Sequence, residues 1–273
     1  MKRWLSISFS FGSLLGVTAV SLLVFLNLRT SATPASVVPI NQKSSSVAKA
    51  KAGSFTTAQK FFDERGIALS IQPKATLTNA HWHTYVLGDD AQVNQAAAEL
   101  QSEWLKYSAN TLKASGLKTI YLVHDLHVDG QARSGFPEPR IEHALYFDIS
   151  ANYLNSENGQ YLRRTFHHEF AHLIEYDLFG SFAPADAAWN RCNAKDTKYG
   201  NGGPSMYADV DYAHTMHPKY GFVDGYATSG LDEDKAEMFA YYMTDPASVQ
   251  NLADGDAGIN CKLQLTERLL QEL

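Results

Sequence analysis

The sequence of 273 residues has no excess of positive charge. Its 23 Lys and Arg stand against 29 Asp and Glu, a net charge of −6, so it offers no basic footprint for nucleic acid. It shows no internal repeat, so the chain is not an array of identical units. It has only two cysteines, Cys192 and Cys261, too few for a disulfide-dense scaffold. Aspartates such as Asp209 and Asp211 carry no calcium-loop signature around them. Charge is missing altogether from one stretch, "WLSISFSFGSLLGVTAVSLLVFLNL" at 4–28, behind Lys2 and Arg3. That run is long enough to span a bilayer, and the flanking charge favours an N-terminus held in the cytoplasm. Small residues near Ala32 and Ala35 give no clean cleavage motif. Residues 1–28 are therefore expected to be a signal peptide or a membrane anchor. The rest of the chain would then be exported, as a secreted protein or one tethered to the outside of the membrane.

What remains is globular in composition, with 45% apolar and 19% charged residues. Residues 29–53 lack aromatics and are rich in Ser, Ala, Lys and Pro, which predicts a flexible linker. The folded domain is expected over 54–273. There "FTTAQKFFDERG" (55–66) has helical spacing, and "IALSIQ" and "HWHTYVLG" read as strands. The stretch 89–116 predicts one long helix on Val93, Ala97, Leu100, Trp104, Leu105 and Tyr107. "KTIYLVHDL" and "ALYFDIS" are β-rich runs, with a loop expected at 127–143 between them. A second long helix is expected over about 160–179, stopped by Gly180. Residues 181–222 read as irregular surface. A third helix is expected at 231–246, with Ser229 and Asp232 as a capping box, and a closing helix at the C-terminus. Strands with a helix first, then mainly helices, indicate an α+β fold with two lobes. In an exported chain Cys192 and Cys261 can form a disulfide.

The chemistry concentrates in "TFHHEFAHLIEY" (165–176). His168 and His172 are four apart, so on a helix both share one face and can reach one Zn²⁺. Glu169 lies one step round, within reach of a water at the metal, where a carboxylate can take its proton. His167 belongs to no such pair and is expected to pack or to support the site. A third ligand is required. Glu175 follows His172 by three, but on a straight helix it lies too far from His168, and no glycine follows His172 to bend the chain. Helix 231–246 offers Glu233 and Glu237 on one face, a repulsive pair unless a cation or histidines lie opposite. Spacing alone does not choose between them.

"HEFAH" together with "GFVDGYATSGLDEDKAEMFAYYM" resembles the gluzincin-type zinc metallopeptidases related to the lethal-factor catalytic domain and the Pro-Pro endopeptidases. The likeness covers about residues 160–245. It implies a zincin-like fold for 54–273: a small mixed sheet, long backing and active-site helices, and a mainly helical C-terminal lobe. It implies His168, His172 and Glu233 as zinc ligands, Glu169 as general base, Tyr226 as hydroxyl donor to the oxyanion, and Glu237 as the residue orienting a ligand histidine. The chain departs from the family at Ala171, where Gly is usual, and at Asp234-Lys235, where apolar residues are common.

The function expected is a zinc-dependent endopeptidase acting on peptide or protein outside the cytoplasm. The alternative is a membrane-tethered module of the same fold that binds peptide or cell-wall polymer without turnover. A third reading is zinc hydrolysis of a non-protein amide. His214 and His217 form an H-x-x-H, which reads as a polar loop near the cleft or, alternatively, as a second metal site. His81 and His83 alternate in a strand and face one side, with no partner evident in sequence. "ALYFDIS" is a candidate edge strand for a peptide substrate, or an ordinary central strand.

Overall fold

A computed structural model describes residues 55–73, 79–84, 90–182 and 184–273. The expected signal peptide or membrane anchor (1–28) and linker (29–53) lie outside them. No helix among the described residues is long and apolar enough to cross a membrane.

Helix α1 (Phe55–Asp63) leads into β1 (Ala68–Ser70) and, further on, β2 (Ala80–His83). Helices α2 (Asp90–Trp104) and α3 (Ala109–Ala114) follow. Then come β3 (Thr119–Val128), β4 (Gln131–Ala132), β5 (Gly135–Glu138) and β6 (Ala144–Asp148). The remainder is helical: α4 (Ala151–Leu154), α5 (Gln160–Phe179), α6 (Ala187–Cys192), α7 (Val210–Ala213), α8 (Leu231–Thr244), α9 (Pro246–Gly255) and α10 (Ala257–Glu272). The architecture is the expected α+β, with a small mixed sheet and a helical C-terminal lobe.

The sheet runs β1-β3-β6-β5, with β1 and β6 parallel to β3 and β5 antiparallel to β6. Strand β3 is long enough to serve two pairs of partners in turn. Its first half pairs β1 and β6; its end pairs β2 and β4 antiparallel. Alternation along β3 and β6 explains their burial on both faces. Ile120, Leu122, Leu145 and Phe147 point into a core shared with α1, α2 and α5. Tyr121, Val123 and Tyr146 point the other way, against Trp82 and Phe136.

Of the two readings of "ALYFDIS", the central strand holds, because β6 is paired on both sides. The loop expected at 127–143 does not hold: the outer strand, β5, lies inside it. Gly135 and the Pro-flanked "FPEP" concealed that strand from propensity. The stretch 89–116 is also not one helix. The Ser108 side chain accepts a hydrogen bond from the Thr111 amide at 2.9 Å and opens a separate short helix. The break leaves Leu105 61% exposed and turns Tyr107 inward.

Helix α5 is buried continuously from Thr165 to Glu175, because the sheet, α2 and α8 surround it. Phe166 packs edge-on to Phe147 at 4.8 Å between ring centres, and Phe170 lies 4.8 Å from Trp104. Removing a ring from such a core costs about 3–5 kcal/mol, so α5 is held rigidly. Gly180, at φ +69, ends it as expected. A second core joins α8, α9 and α10 around Phe222, Met238 and Ile259. The disulfide Cys192–Cys261, with 5.5 Å between Cα atoms, ties α6 to α10. That bridge was expected.

Candidate metal centre

Helices α5 and α8 lie against each other, and their polar groups meet at one point. His168 Nε2 is 3.0 Å from His172 Nε2 and 3.1 Å from Glu233 Oε2, and His172 Nε2 is 3.3 Å from the same oxygen. A tetrahedral zinc with ligands at 2.0–2.1 Å needs donors spaced about 3.3 Å from one another. Three donors at nearly that spacing, all on buried side chains, fit a zinc ion. Burial disfavours charge on all three groups, yet they offset one another. The imidazoles hold the Glu233 carboxyl well below its usual range, and Glu233 holds both imidazoles above theirs. The arrangement carries negative charge on Glu233 and positive charge opposite, which a cation can replace.

Of the two carboxylates left open by spacing, Glu233 meets the histidine Nε2 atoms. Glu237 lies behind, its Oε1 2.8 Å from His168 Nδ1, where it fixes the ring and aims Nε2 at the centre. Glu175 points away and pairs with Lys235. Glu169 lines the same cleft and is buried. Burial raises its pKa above the usual carboxylate value, although His168 and His172 oppose this. Tyr226 crosses edge-on beside His168, 5.8 Å between ring centres. Burial, then the Glu233 charge, push its hydroxyl well above the normal tyrosine range, so it remains a donor at neutral pH.

The expected capping box does not form. Ser229 closes the short turn at Tyr226–Thr228, and Gly230 takes the cap position without a side-chain bond. The acidic first turn of α8 instead faces the helix N-terminus. The departure Asp234-Lys235 has a structural explanation. Asp234 is fully buried and accepts from Lys262 Nζ at 2.6 Å, Trp189 Nε1 at 2.8 Å and Tyr199 at 2.7 Å, which fastens α8 to α6 and α10. Lys235 pairs with Glu175 and Asp186.

Sequence reasoning gave no role to several groups here. Asp224 accepts from the Ala227 amide at 2.9 Å, shaping the turn that presents Tyr226, and it also contacts Glu237. Gly203 brings its backbone so close that a Cβ there would overlap both the Tyr226 hydroxyl and Glu233 Oε1. Gly135 likewise crowds Glu169: a Cβ would lie 2.8 Å from Oε1. Arg133 donates to the Tyr207 hydroxyl at 3.1 Å and places its charge near Glu169 and Tyr226. Gly203 lies in "GNGGPS" and Gly135 in "RSGFPE", but no one-dimensional signal says what they face.

The other histidines separate. His167 joins Tyr107 at 2.5 Å and Glu103 at 2.8 Å, a buried link from α5 to α2. His214 lines the cleft, whereas His217 pairs with Asp256 at 3.0 Å, so the H-x-x-H is not one site. Asp209 caps α7 through the Tyr212 amide.

The cleft, about 770 Å³, runs from β5 past α5 to α8 and to the loop carrying Met206 and Tyr207. No protein-family model and no curated protein matches the sequence. Among solved structures, the chain is similar to a Bacteroides caccae protein provisionally described as a zinc-binding metallo-peptidase. The identity is 18% and the TM-score 0.50, over 80% of this chain and 84% of that one. At that identity the likeness establishes a common fold, and the metal centre rests on the residues of this chain.

Proposed function

We propose that the protein is a zinc-dependent endopeptidase acting outside the cytoplasm, with residues 1–28 as signal peptide or membrane anchor and 29–53 as tether to a peptidase domain at 54–273. The observation that carries the reading is the convergence of His168, His172 and Glu233 at 3.0–3.3 Å, with Glu169 and Tyr226 lining the same cleft.

Zinc held by those three side chains would supply Lewis acidity to a substrate carbonyl and would acidify a water. The protein residues do the rest. Glu169, its pKa raised by burial, accepts the proton of the attacking water and passes it to the leaving amine. The Tyr226 hydroxyl donates to the oxygen that gains charge as the carbonyl becomes tetrahedral. Glu237 keeps His168 in the orientation that offers Nε2, and Asp224 supports both Glu237 and the Tyr226 turn. A peptide would lie along the outer edge of β5, whose Gly135, Phe136 and Pro137 line the cleft beside Glu169. The resemblance to the lethal-factor and Pro-Pro endopeptidase group belongs to this reading, carried by the two motif segments.

A binding module without turnover would need neither Glu169 nor Tyr226, and the presence of both along the same cleft supports the catalytic reading. The test is Glu169→Gln assayed on a mixed peptide library. Loss of cleavage by about 10²–10⁴-fold with zinc retained supports the reading. Cleavage at the parent rate would remove Glu169 from the mechanism, and a parent that binds zinc but cleaves nothing would favour the module.

A further inference from the structure

A second group of metal-type donors lies away from the cleft. Strands β2 and β3 carry four histidines in two facing pairs: His81 opposite His127, and His83 opposite His124. The first pair is stacked, with ring centres 4.8 Å apart and planes within 7°. The second pair is 5.2 Å apart and tilted. Between the pairs the register slips, and β3 has one residue more than β2. The kink falls at Asp125, whose φ of +52 is in the left-handed region.

Neighbouring residues of a regular strand point to opposite faces. Here the kink brings Asp125 to the same side as His124. Asp125 Oδ2 lies 2.9 Å from His83 Nδ1 and 3.2 Å from His124 Nδ1. The irregular backbone is held from beneath. Buried Asp148, at the end of β6, accepts the Leu126 amide at 2.8 Å. His127 Nδ1 hydrogen-bonds to the Asp125 carbonyl at 3.0 Å. A strained residue kept in place by a buried carboxylate is a feature that packing alone does not require.

We propose that His83, His124 and Asp125 form a second site, for an exposed divalent transition-metal ion of the zinc or nickel type. Their donor atoms all lie within 4.8 Å of one another. Two imidazoles and one carboxylate suit a borderline ion and not calcium or magnesium, which take oxygen. Three protein donors leave further positions open to solvent or to a group on a partner. With side chains 71%, 33% and 58% exposed for His83, His124 and Asp125, the site binds more weakly than the buried centre and exchanges freely. It does not depend on the proposed peptidase activity.

The test counts zinc per full-length chain by equilibrium dialysis, with free zinc stepped to about 0.1 mM. Four proteins are compared: parent, His83→Ala/His124→Ala, Asp125→Asn and Glu233→Ala. The proposal expects two zinc ions in the parent and one fewer in the histidine double variant. Asp125→Asn, which keeps shape and loses the charge, should weaken the second ion by about tenfold or more. Glu233→Ala should lose the tight ion and keep the weak one. A parent binding one ion, unchanged in the double variant, overturns the proposal. So does a second ion that survives in the double variant. If the parent binds one ion that only the histidine double variant loses, the exposed site stands and the buried centre fails.

Discussion

Gly203 offers a direct test of how tightly the proposed catalytic groups are positioned. Its φ is not among the positive values, so alanine there introduces no backbone strain and the effect is one of contact alone. A Cβ would overlap the Tyr226 hydroxyl and Glu233 Oε1 together. Restoring ordinary contact requires each group to withdraw by about 1 Å. One is the proposed oxyanion donor and the other the proposed third ligand, and neither is free to move. Tyr226 is wedged beside His168, and Glu233 Oε2 is held by both histidines. A misplacement of about 1 Å in such a constellation lowers rate by about 10²-fold, equivalent to about 2.7 kcal/mol in the barrier. The assay is kcat/KM for Gly203→Ala against the parent on any cleaved peptide, with zinc content and thermal unfolding alongside. The expected result is a fall of that order in kcat with the fold intact. Parent-like kcat in a folded, zinc-loaded Gly203→Ala protein would refute the placement of Tyr226 and Glu233 at the reacting centre.

Other outcomes follow from the same geometry. Tyr226→Phe should lower kcat by about 10²-fold with little change in KM, since it removes a bond made to developing charge; an equal loss expressed wholly in KM would make Tyr226 a substrate-binding residue. In the metal-free protein burial opposes charge on His168 and His172, but the surrounding carboxylates, Glu233 and Glu169 for both and Glu237 also for His168, together raise both above their ordinary value. Zinc must therefore displace protons near neutral pH, and its apparent affinity should drop by about a decade per pH unit for each proton displaced as pH falls. Calorimetry in buffers of different ionisation enthalpy reads that release, and buffer-independent heats would contradict it. The sign for stability is opposite. Raised histidine values stabilise the metal-free fold fully below about pH 6.5, and that contribution is lost as pH rises through the folded-state values. Replacing Cys192 and Cys261 by alanine opens a loop of 69 residues and should destabilise by up to about 4 kcal/mol in urea titration. An unchanged midpoint would show that the helical lobe does not need its clip.

Much of this site could be read in one dimension because helices translate spacing into direction. His168 and His172 share a face by periodicity alone, and Gly180 marks the helix end by its conformational freedom. Spacing did not choose Glu233 over Glu237; only the resemblance implied that choice. Both lie on the same face, and only the offset between α5 and α8 puts one at the Nε2 atoms and the other at Nδ1. Strand β5 was hidden because an edge strand beside a helix tolerates the Gly and Pro that propensity reads as loop. The split between α2 and α3 turns on one hydroxyl, that of Ser108, which competes with the helix for an amide. Gly203 acts on chain segments distant in sequence, so nothing local announces it. The polar pair Asp234-Lys235 was not legible because its partners, Lys262 and Glu175, come from other helices.

The central claim is that α5 and α8 hold one zinc between them. Zinc should be counted in the purified full-length chain and in Glu233→Ala at free zinc too low to fill the exposed histidine cluster. The account predicts about one zinc per parent chain and at least a tenfold weaker hold in the variant, with unfolding of the metal-free proteins otherwise alike. Full, tight zinc in Glu233→Ala, or none in a well-folded parent, would contradict it.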